Sequence, residues 1–337
     1  MVQPVDITYG TDPEAFFERN GAIIGSEKIL HKRGLKSGYG PPVVVRDGVQ
    51  FEFNPQYSHS VAGLAENLSN GFKALQIHMK GYPDVSLCFR GLVEVSREEL
   101  DSLTKRSRVL GCQPSNNAYG ENPITVNVKT YRKRSSGGHA HFGLSTLPRI
   151  FGKYEEERAR VVSLFDIFVG NSCVMFDRDP GAAERRENYG RAGEYRLQPH
   201  GLEYRTLSNF WLRNYSLMSF VFGMGNFSVS VLNTTLTTDQ NLEQELIDTV
   251  NIGNFIKAID TNDYDLARTN FDSIRPFLVK NLPQHGFPLT PNNLDRFLTF
   301  TEGVRDEGFD AFFHGDIMDH WCAGKKVEFT DFLDTIY

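Results

Sequence analysis

Four stretches of this chain place chemically capable side chains two residues apart: Asp12/Glu14, Glu52/Asn54, His139/His141 and Glu203/Arg205. In an extended strand, residues i and i+2 point to the same face, so each pair can address one common site. Carboxylates joined by one or two imidazoles form a hard donor set. That set suits Mg²⁺ or Mn²⁺ better than zinc, which more often gathers His and Cys at helix or knuckle spacing. One such pair is ordinary for any solvent-facing sheet. Four of them, rich in acid, imidazole and guanidinium, point to a metal site that handles anions.

The flanking residues sharpen the pattern. Val49, Phe51 and Phe53 alternate with Gln50, Glu52 and Asn54, and Leu202 and Tyr204 alternate with Glu203 and Arg205. Each strand therefore has one apolar face and one chemical face. In the run Gly137-Gly138-His139-Ala140-His141-Phe142-Gly143, the glycines remove bulk beside the histidines, as expected where a ligand or phosphate approaches backbone. The plainer alternative is a glycine-rich strand end with satisfied histidines. Between Arg178 and Arg196 lie Arg185, Arg186 and Arg191 together with Gly181, Gly190 and Gly193. This segment reads as a mobile anion-binding loop whose guanidiniums neutralise phosphate charge, or else as a solvated surface loop.

These groups need a scaffold of strands. Val5, Ile7 and Tyr9 alternate into the acids at 12 and 14, and Val43 to Arg46 and Val49 to Asn54 flank Asp47-Gly48, a pair suited to a tight hairpin. Further strands are expected at 85–95, 125–131, 138–143 and 202–207. Ser58 or Ser60 can cap a helix carrying Val61, Leu64, Leu68, Phe72 and Leu75, with other helical stretches at 154–169 and 208–222. Beyond Asp239 the pattern is helical, near 242–259, 263–277, 292–304 and 327–336. The fold class expected is α+β, an antiparallel sheet backed by helices, with residues 1–235 as the site-bearing domain and 236–337 as a helical C-terminal region behind a soft boundary.

Bulk properties exclude several classes. The 337 residues carry 36 basic and 42 acidic side chains, a formal charge of -6 without long runs of one sign, so no general nucleic-acid or anionic-membrane surface is expected. Cys88, Cys112, Cys173 and Cys322 lie far apart with no CxxC pair, and read as reduced, mostly buried thiols. No apolar run reaches the length of about 20 residues that spans a bilayer, and Met1 to Gly10 has no leader pattern, so a soluble, cytoplasmic protein is expected. The oligomeric state does not follow from these features.

Gly10-Thr11-Asp12-Pro13-Glu14-Ala15-Phe16-Phe17, the Gly137–Gly143 run and Gly201-Leu202-Glu203-Tyr204-Arg205 resemble, in order, three metal and nucleotide motifs of the glutamine synthetase and glutamate-cysteine ligase superfamily. With the segment Arg185 to Arg196, the chain looks most like the phage-type carboxylate-amine ligase (amidoligase) branch, over residues 5 to 215. The resemblance implies a curved antiparallel sheet of glutamine-synthetase-like type whose concave face holds metals. It implies ATP and Mg²⁺ (or Mn²⁺) as cofactors, and a small-molecule or peptide carboxylate and an amine as substrates, joined through an acyl phosphate with release of ADP. A phage-encoded chain of this kind would work in the host cytoplasm. By the same resemblance Glu14 and Glu52 would hold one ion and Asp12, His139 and Glu203 a second, while His141 contacts phosphate. Arg205, Arg196 and Arg186 would cover the transferring γ-phosphate. Asp12 is shorter than the glutamate often found at its position, and no clear third carboxylate accompanies Glu14 and Glu52, so Asn54 or a water would complete that set.

Other readings stay open at this stage: a phosphotransferase to a nitrogen acceptor, a non-catalytic phage or host interaction protein that retains the fold, or a metal-dependent hydrolase. His314, Asp316, Asp319, His320 and Cys322 cluster in sequence but lack strand or finger spacing and read as structural. The basic stretch from Lys129 to Arg134 reads as a strand end reaching solvent. The 26 phenylalanines follow core periodicity and not the pattern of a base-stacking surface.

Overall fold

The computed structural model describes residues 6–108, 115–121, 131–144, 155–199, 201–282, 289–313 and 315–336. The fold is mixed α+β, with a curled antiparallel half-barrel sheet and helices. Ile7–Thr11, Ala140–Leu144, Gly201–Tyr204, Glu194–Gln198 and Asn116–Asn117 lie side by side in one sheet. A second sheet runs Ala22–Ile24, Glu14–Arg19, Gln50–Phe53, Pro42–Asp47, Leu35–Lys36, and Ser86–Cys88 also pairs with Glu14–Arg19. Lys133–Ser135 and Leu92–Glu94 make a separate two-stranded ribbon.

Register decides which side chains meet. In the first sheet Gly10, His141, Glu203 and Arg196 stand directly opposite one another as a row across neighbouring strands. The alternate residues Tyr9, Phe142, Leu202 and Tyr204 point the other way and are buried. Phe142 meets Phe165 at 4.9 Å and Phe165 meets Tyr204 at 5.3 Å, so the apolar face is sealed by an aromatic layer.

In the second sheet the hairpin turns through Gly48 and Val49, one residue later than the expected Asp47-Gly48 pair: Asp47 closes its strand opposite Gln50, and Gly48 supplies the positive φ of +60°. Its apolar face is covered by the helix Val61–Met79. Ser60 caps that helix by accepting the Gly63 N–H at 3.1 Å, and Leu64, Leu68, Phe72 and Leu75 are fully buried. Phe72 stacks on Phe53 at 4.3 Å. Burial of each such side chain contributes roughly 1.5–3 kcal/mol before entropy is counted.

Several elements differ from their expected extents. The 85–95 strand is split into Ser86–Cys88 and Leu92–Glu94. A short 3₁₀ turn, Asn209–Arg213, precedes the helix Tyr215–Thr237, which starts where Asn214 accepts the Leu217 N–H. The 242–259 stretch divides into Leu242–Ile247 and Ile252–Thr261, the second capped by Asn251. The helix Glu155–Phe165 continues into a π-helical turn, Asp166–Gly170. Positions 125–130 of an expected strand, Cys112 and His314 lie outside the described residues. Cys88 and Cys173 are buried free thiols and Cys322 is partly buried.

The expectation that no segment is apolar enough to cross a membrane needs correction. Tyr215–Thr237, 23 residues long, passes by length and composition, but its most apolar window is 83 % buried inside the fold. Its hydropathy serves the core, because helices from both halves of the chain surround it. One cluster of buried residues runs from Ile7 to Leu333. Trp321 lies parallel to Phe72 at 5.4 Å and donates its indole N–H to the Leu212 carbonyl at 2.6 Å, tying the C-terminal helices to the sheet's own helix. His320 accepts the Tyr215 N–H at 2.9 Å, a structural use of a residue from the C-terminal His/Asp cluster.

Candidate active site

The chain passes from one sheet to the other between Thr11 and Glu14, and this joint delivers Asp12 to one cluster of side chains and Glu14 to another. The joint is anchored on both sides. The Glu14 N–H donates to Gly137 O at 2.9 Å, the Phe53 N–H to Pro13 O at 2.9 Å, and the Thr11 hydroxyl to His139 O at 2.6 Å.

In the first cluster both imidazoles converge on Asp12. His139 Nδ1 lies 2.8 Å and His141 Nε2 3.1 Å from Asp12 Oδ1, and His139 Nδ1 is 3.3 Å from Glu203 Oε1. Donor atoms of Asp12, His141 and Glu203 all fall within 4.8 Å of one another. Glu203 is fully buried and heavily partnered. Arg196 donates from Nε at 2.7 Å and Nη2 at 3.0 Å in a bidentate fork, Gln198 Nε2 donates at 2.6 Å, and Arg205 Nε stands 3.1 Å away. Gly137 makes room for His139, because a Cβ there would lie 2.2 Å from the His139 Nε2 atom.

In the second cluster Glu14 stands directly opposite Glu52, and Asp47, diagonal to Glu52 on the same sheet face, joins them. Donor oxygens of Glu14, Asp47 and Glu52 lie within 4.8 Å of one another. Asp47 is thus the third carboxylate that sequence reading failed to find. Asp47 closes the strand Pro42–Asp47 just before the turn, but the Asp-Gly pair reads in sequence as turn chemistry, which hides its use in the site. Asn54, the expected substitute, is exposed.

Electrostatics divide the two clusters. Burial penalises a charged Asp12, but the neighbouring imidazoles of His141 and His139 outweigh it and hold the carboxyl well below the usual range. Burial likewise opposes charge on Glu203, and His139, His141 and Arg205 together bring it below its ordinary value. His141 is raised, the Asp12 carboxylate overcoming burial. In the second cluster burial and like charge act in the same direction. Burial, then Asp47, push Glu14 up to about 8 against a 2.7 Å hydrogen bond from the Gly137 N–H. Burial, then Asp12, Glu14, Asp47 and Glu203, push Glu52 up to about 10. Asp47 is raised as well, chiefly by burial. At neutral pH burial, and after it the closeness of the acids to one another, keeps protons on Glu14 and Glu52.

The arginine segment is not an exposed loop. Arg185 and Arg186 belong to the short helix Ala182–Arg186 and are buried. Arg185 donates to the carbonyls of Ser136 at 3.1 Å, Thr206 at 3.1 Å and Leu207 at 2.8 Å, and Arg186 to those of Gly190 at 2.7 Å and Thr206 at 3.3 Å. Arg196 sits on the strand Glu194–Gln198, facing Glu203, and Arg205 is fully buried beside the same carboxylate. Arg196 and Arg205 are therefore brought to the acids, whereas Arg186 braces backbone behind them. Tyr189, part of the Arg185 to Arg196 segment but given no role there, hydrogen-bonds His139 Nε2 and accepts from Arg205 Nη2 at 2.9 Å.

The model of the family described as Phage phiEco32-like COOH.NH2 ligase-type 2 matches residues 124–250. The matched segment, less than half of the chain, is similar to that carboxylate-amine ligase family. No curated protein matches the chain. The matched segment carries His139, His141, Arg186, Tyr189, Arg196, Glu203 and Arg205, while Asp12, Glu14, Asp47 and Glu52 reach the site from outside it. The match supports an enzyme that forms carboxylate-amine bonds.

Proposed function

We propose that the protein is an ATP- and Mg²⁺-dependent ligase that activates a substrate carboxylate as an acyl phosphate and joins it to an amine. The observation that carries the metal requirement is the pairing of two clusters across the Asp12–Glu14 joint, one of them three carboxylates whose oxygens lie within 4.8 Å. Hard oxygen donors with a single imidazole type fit Mg²⁺ or Mn²⁺, and protonation of Glu14 and Glu52 marks a charge deficit that a divalent ion would fill. Glu14, Asp47 and Glu52 would hold one ion, and Asp12 and Glu203 with His139 or His141 another. Such ions would supply charge neutralisation for the phosphates of ATP.

The chain's own residues supply the rest. The Arg196 guanidinium is partly exposed while it grips Glu203, so its outer N–H groups can reach a phosphate oxygen. Arg205 adds a fixed positive charge behind the same carboxylate. His141, raised by Asp12, can donate from Nε2 to a phosphate oxygen when that bond is exchanged. Arg186 acts from behind by fixing Gly190 and Thr206, so its contribution to the γ-phosphate is indirect. In the reaction the acid's oxygen attacks the γ-phosphorus and ADP leaves. The amine nitrogen then attacks the carbonyl carbon, and phosphate leaves as the amine proton is lost.

Calorimetric titration of a non-hydrolysable ATP analogue into wild type and Glu52→Gln, with and without Mg²⁺, tests this reading. Binding that needs Mg²⁺ and weakens in the variant is the expected result. Absence of binding by the wild type in both conditions would remove the ATP-dependent mechanism.

A further inference from the structure

On the apolar side of the first sheet, away from the acids, one carboxylate reaches both strands that carry the Arg196–Glu203 fork. Asp166 opens the π-helical turn Asp166–Gly170 and is fully buried. Its Oδ2 accepts the Gly193 N–H at 2.7 Å and the Tyr119 hydroxyl at 2.8 Å, and its Oδ1 accepts the Tyr204 hydroxyl at 2.6 Å. Gly193 immediately precedes the strand Glu194–Gln198 that carries Arg196, and Tyr204 follows Glu203 on the neighbouring strand. Tyr195 stands opposite Tyr204 and Arg196 opposite Glu203, so the tie lies one register step from the fork. The contact depends on Gly170, where a Cβ would lie 2.5 Å from the Tyr204 hydroxyl oxygen. The turn before the strand is held at two further points. Gly190 donates to Glu194 at 3.2 Å, and Ala192 donates to Asp260 of the helix Ile252–Thr261 at 2.8 Å.

We propose that Asp166 is a positioning residue that sets the Arg196–Glu203 fork from behind the sheet, and through it the site's affinity for nucleotide phosphates. The second half rests on the ligase reading above. Arg196 grips Glu203 through two N–H···O bonds at 2.7 and 3.0 Å. A bidentate fork fixes direction as well as distance, so it tolerates little sliding of one strand against the other. Productive constellations hold only to within about 0.5 Å, and they keep that tolerance through the groups behind them. Asp166 is such a group, because its two oxygens hold the start of one strand and the end of the other. Asparagine can keep its oxygen on Gly193 and Tyr119 and turn its amide to the Tyr204 oxygen. Alanine releases all three donors.

The test uses the full chain as wild type, Asp166→Ala, Asp166→Asn, Tyr204→Phe and Asn171→Ala. Asn171 lies further along the same helical run, donates to Ala267 O at 2.9 Å and accepts from Asn270 at 3.0 Å, so its loss reports stability away from the strands. Calorimetry follows binding of a non-hydrolysable ATP analogue with Mg²⁺, at a temperature where thermal unfolding shows each variant folded. The Arg196 Nε–H signal, assigned by its absence in Arg196→Lys, is followed by ¹H–¹⁵N NMR. Asp166→Ala is expected to shift that signal and to weaken analogue binding by about 10- to 100-fold, while Asp166→Asn and Asn171→Ala stay within about threefold of wild type. Wild-type affinity in folded Asp166→Ala, or an equal loss in Asn171→Ala, overturns the proposal. If the wild type binds no analogue, the ATP reading falls and the Arg196 signal decides the positioning role: a shift in Asp166→Ala upholds it, and an unmoved signal overturns it. Should Asp166→Ala not fold, Tyr204→Phe decides in the same way, because it cuts the tie to one strand and keeps the ring.

Discussion

Replacing Glu52 by glutamine exchanges one oxygen for an amide nitrogen, and the structure gives that change a sign that differs from most substitutions in a site. Glu52 faces Glu14 in register and Asp47 on the diagonal, and burial with these neighbours lifts its pKa from 4.5 to about 10. A raised carboxyl favours folding only where the unfolded chain is also protonated. Its contribution is intact below about 4.5 and is progressively lost as pH rises towards 10. At pH 7 the folded side chain holds a proton that the unfolded chain has released. At 1.36 kcal/mol per pH unit above 4.5, this costs the metal-free protein about 3 kcal/mol. Glutamine has no such cost, so E52Q without metal should be more stable than wild type at pH 7 by up to about 3 kcal/mol, or about 4 °C in unfolding midpoint for a chain of this length. At pH 4 the two should be nearly equal. Mg²⁺ should raise the wild-type midpoint and leave E52Q little changed, because the ion needs the charged oxygens. Thermal unfolding in EDTA and in Mg²⁺ at both pH values reads all four numbers. An E52Q protein less stable than wild type at pH 7 without metal, or a gap that does not grow with pH, would refute the like-charge argument.

Glu203→Ala should behave in the opposite way, destabilising the metal-free protein by about 3–5 kcal/mol in denaturant unfolding, because it removes the carboxylate beside the buried Arg205 and the acceptor of Arg196 and Gln198. Gly137→Ala inserts a Cβ at 2.2 Å from His139 Nε2, and the forced shift of the imidazole should lower Mn²⁺ affinity and turnover by about 10²-fold with little change in global unfolding. Arg185→Ala leaves the carbonyls of Ser136, Thr206 and Leu207 without a buried donor and should cost about 3–5 kcal/mol in chemical unfolding. A smaller loss there would show that water replaces the guanidinium.

Much of the site is local in origin. The alternation around Glu52 and Glu203 follows from the two-residue period of a strand, so the choice of face needs no knowledge of the partner strand. The same holds for the Ser60 cap and for a turn at Gly48, which the structure makes with Val49 and not with Asp47. The sheets, hairpin and main helices were legible for that reason, whereas the grouping of Asp12, His139 and Glu203 came only from the family resemblance, which set His141 apart on phosphate. The arginine segment was misjudged because charge and glycine content describe both a solvated loop and a buried brace. Only packing shows Arg185 and Arg186 spending their donors on carbonyls.

Sequence alone determined the chemistry on offer and, within single strands, which residues share a face, because backbone geometry fixes direction within one element; Asp12 and Glu14, expected as such a pair, are split by the joint between the sheets. It also determined the family resemblance, through short motifs in order. Tertiary structure decided the partners. Asp47 becomes a third carboxylate because Val45 stands opposite Glu52 and not one residue along. Tyr189 reaches His139 because three acids from separate elements hold the following turn. Strand register and loop anchoring are set by contacts between residues far apart in the chain, and no local periodicity encodes them.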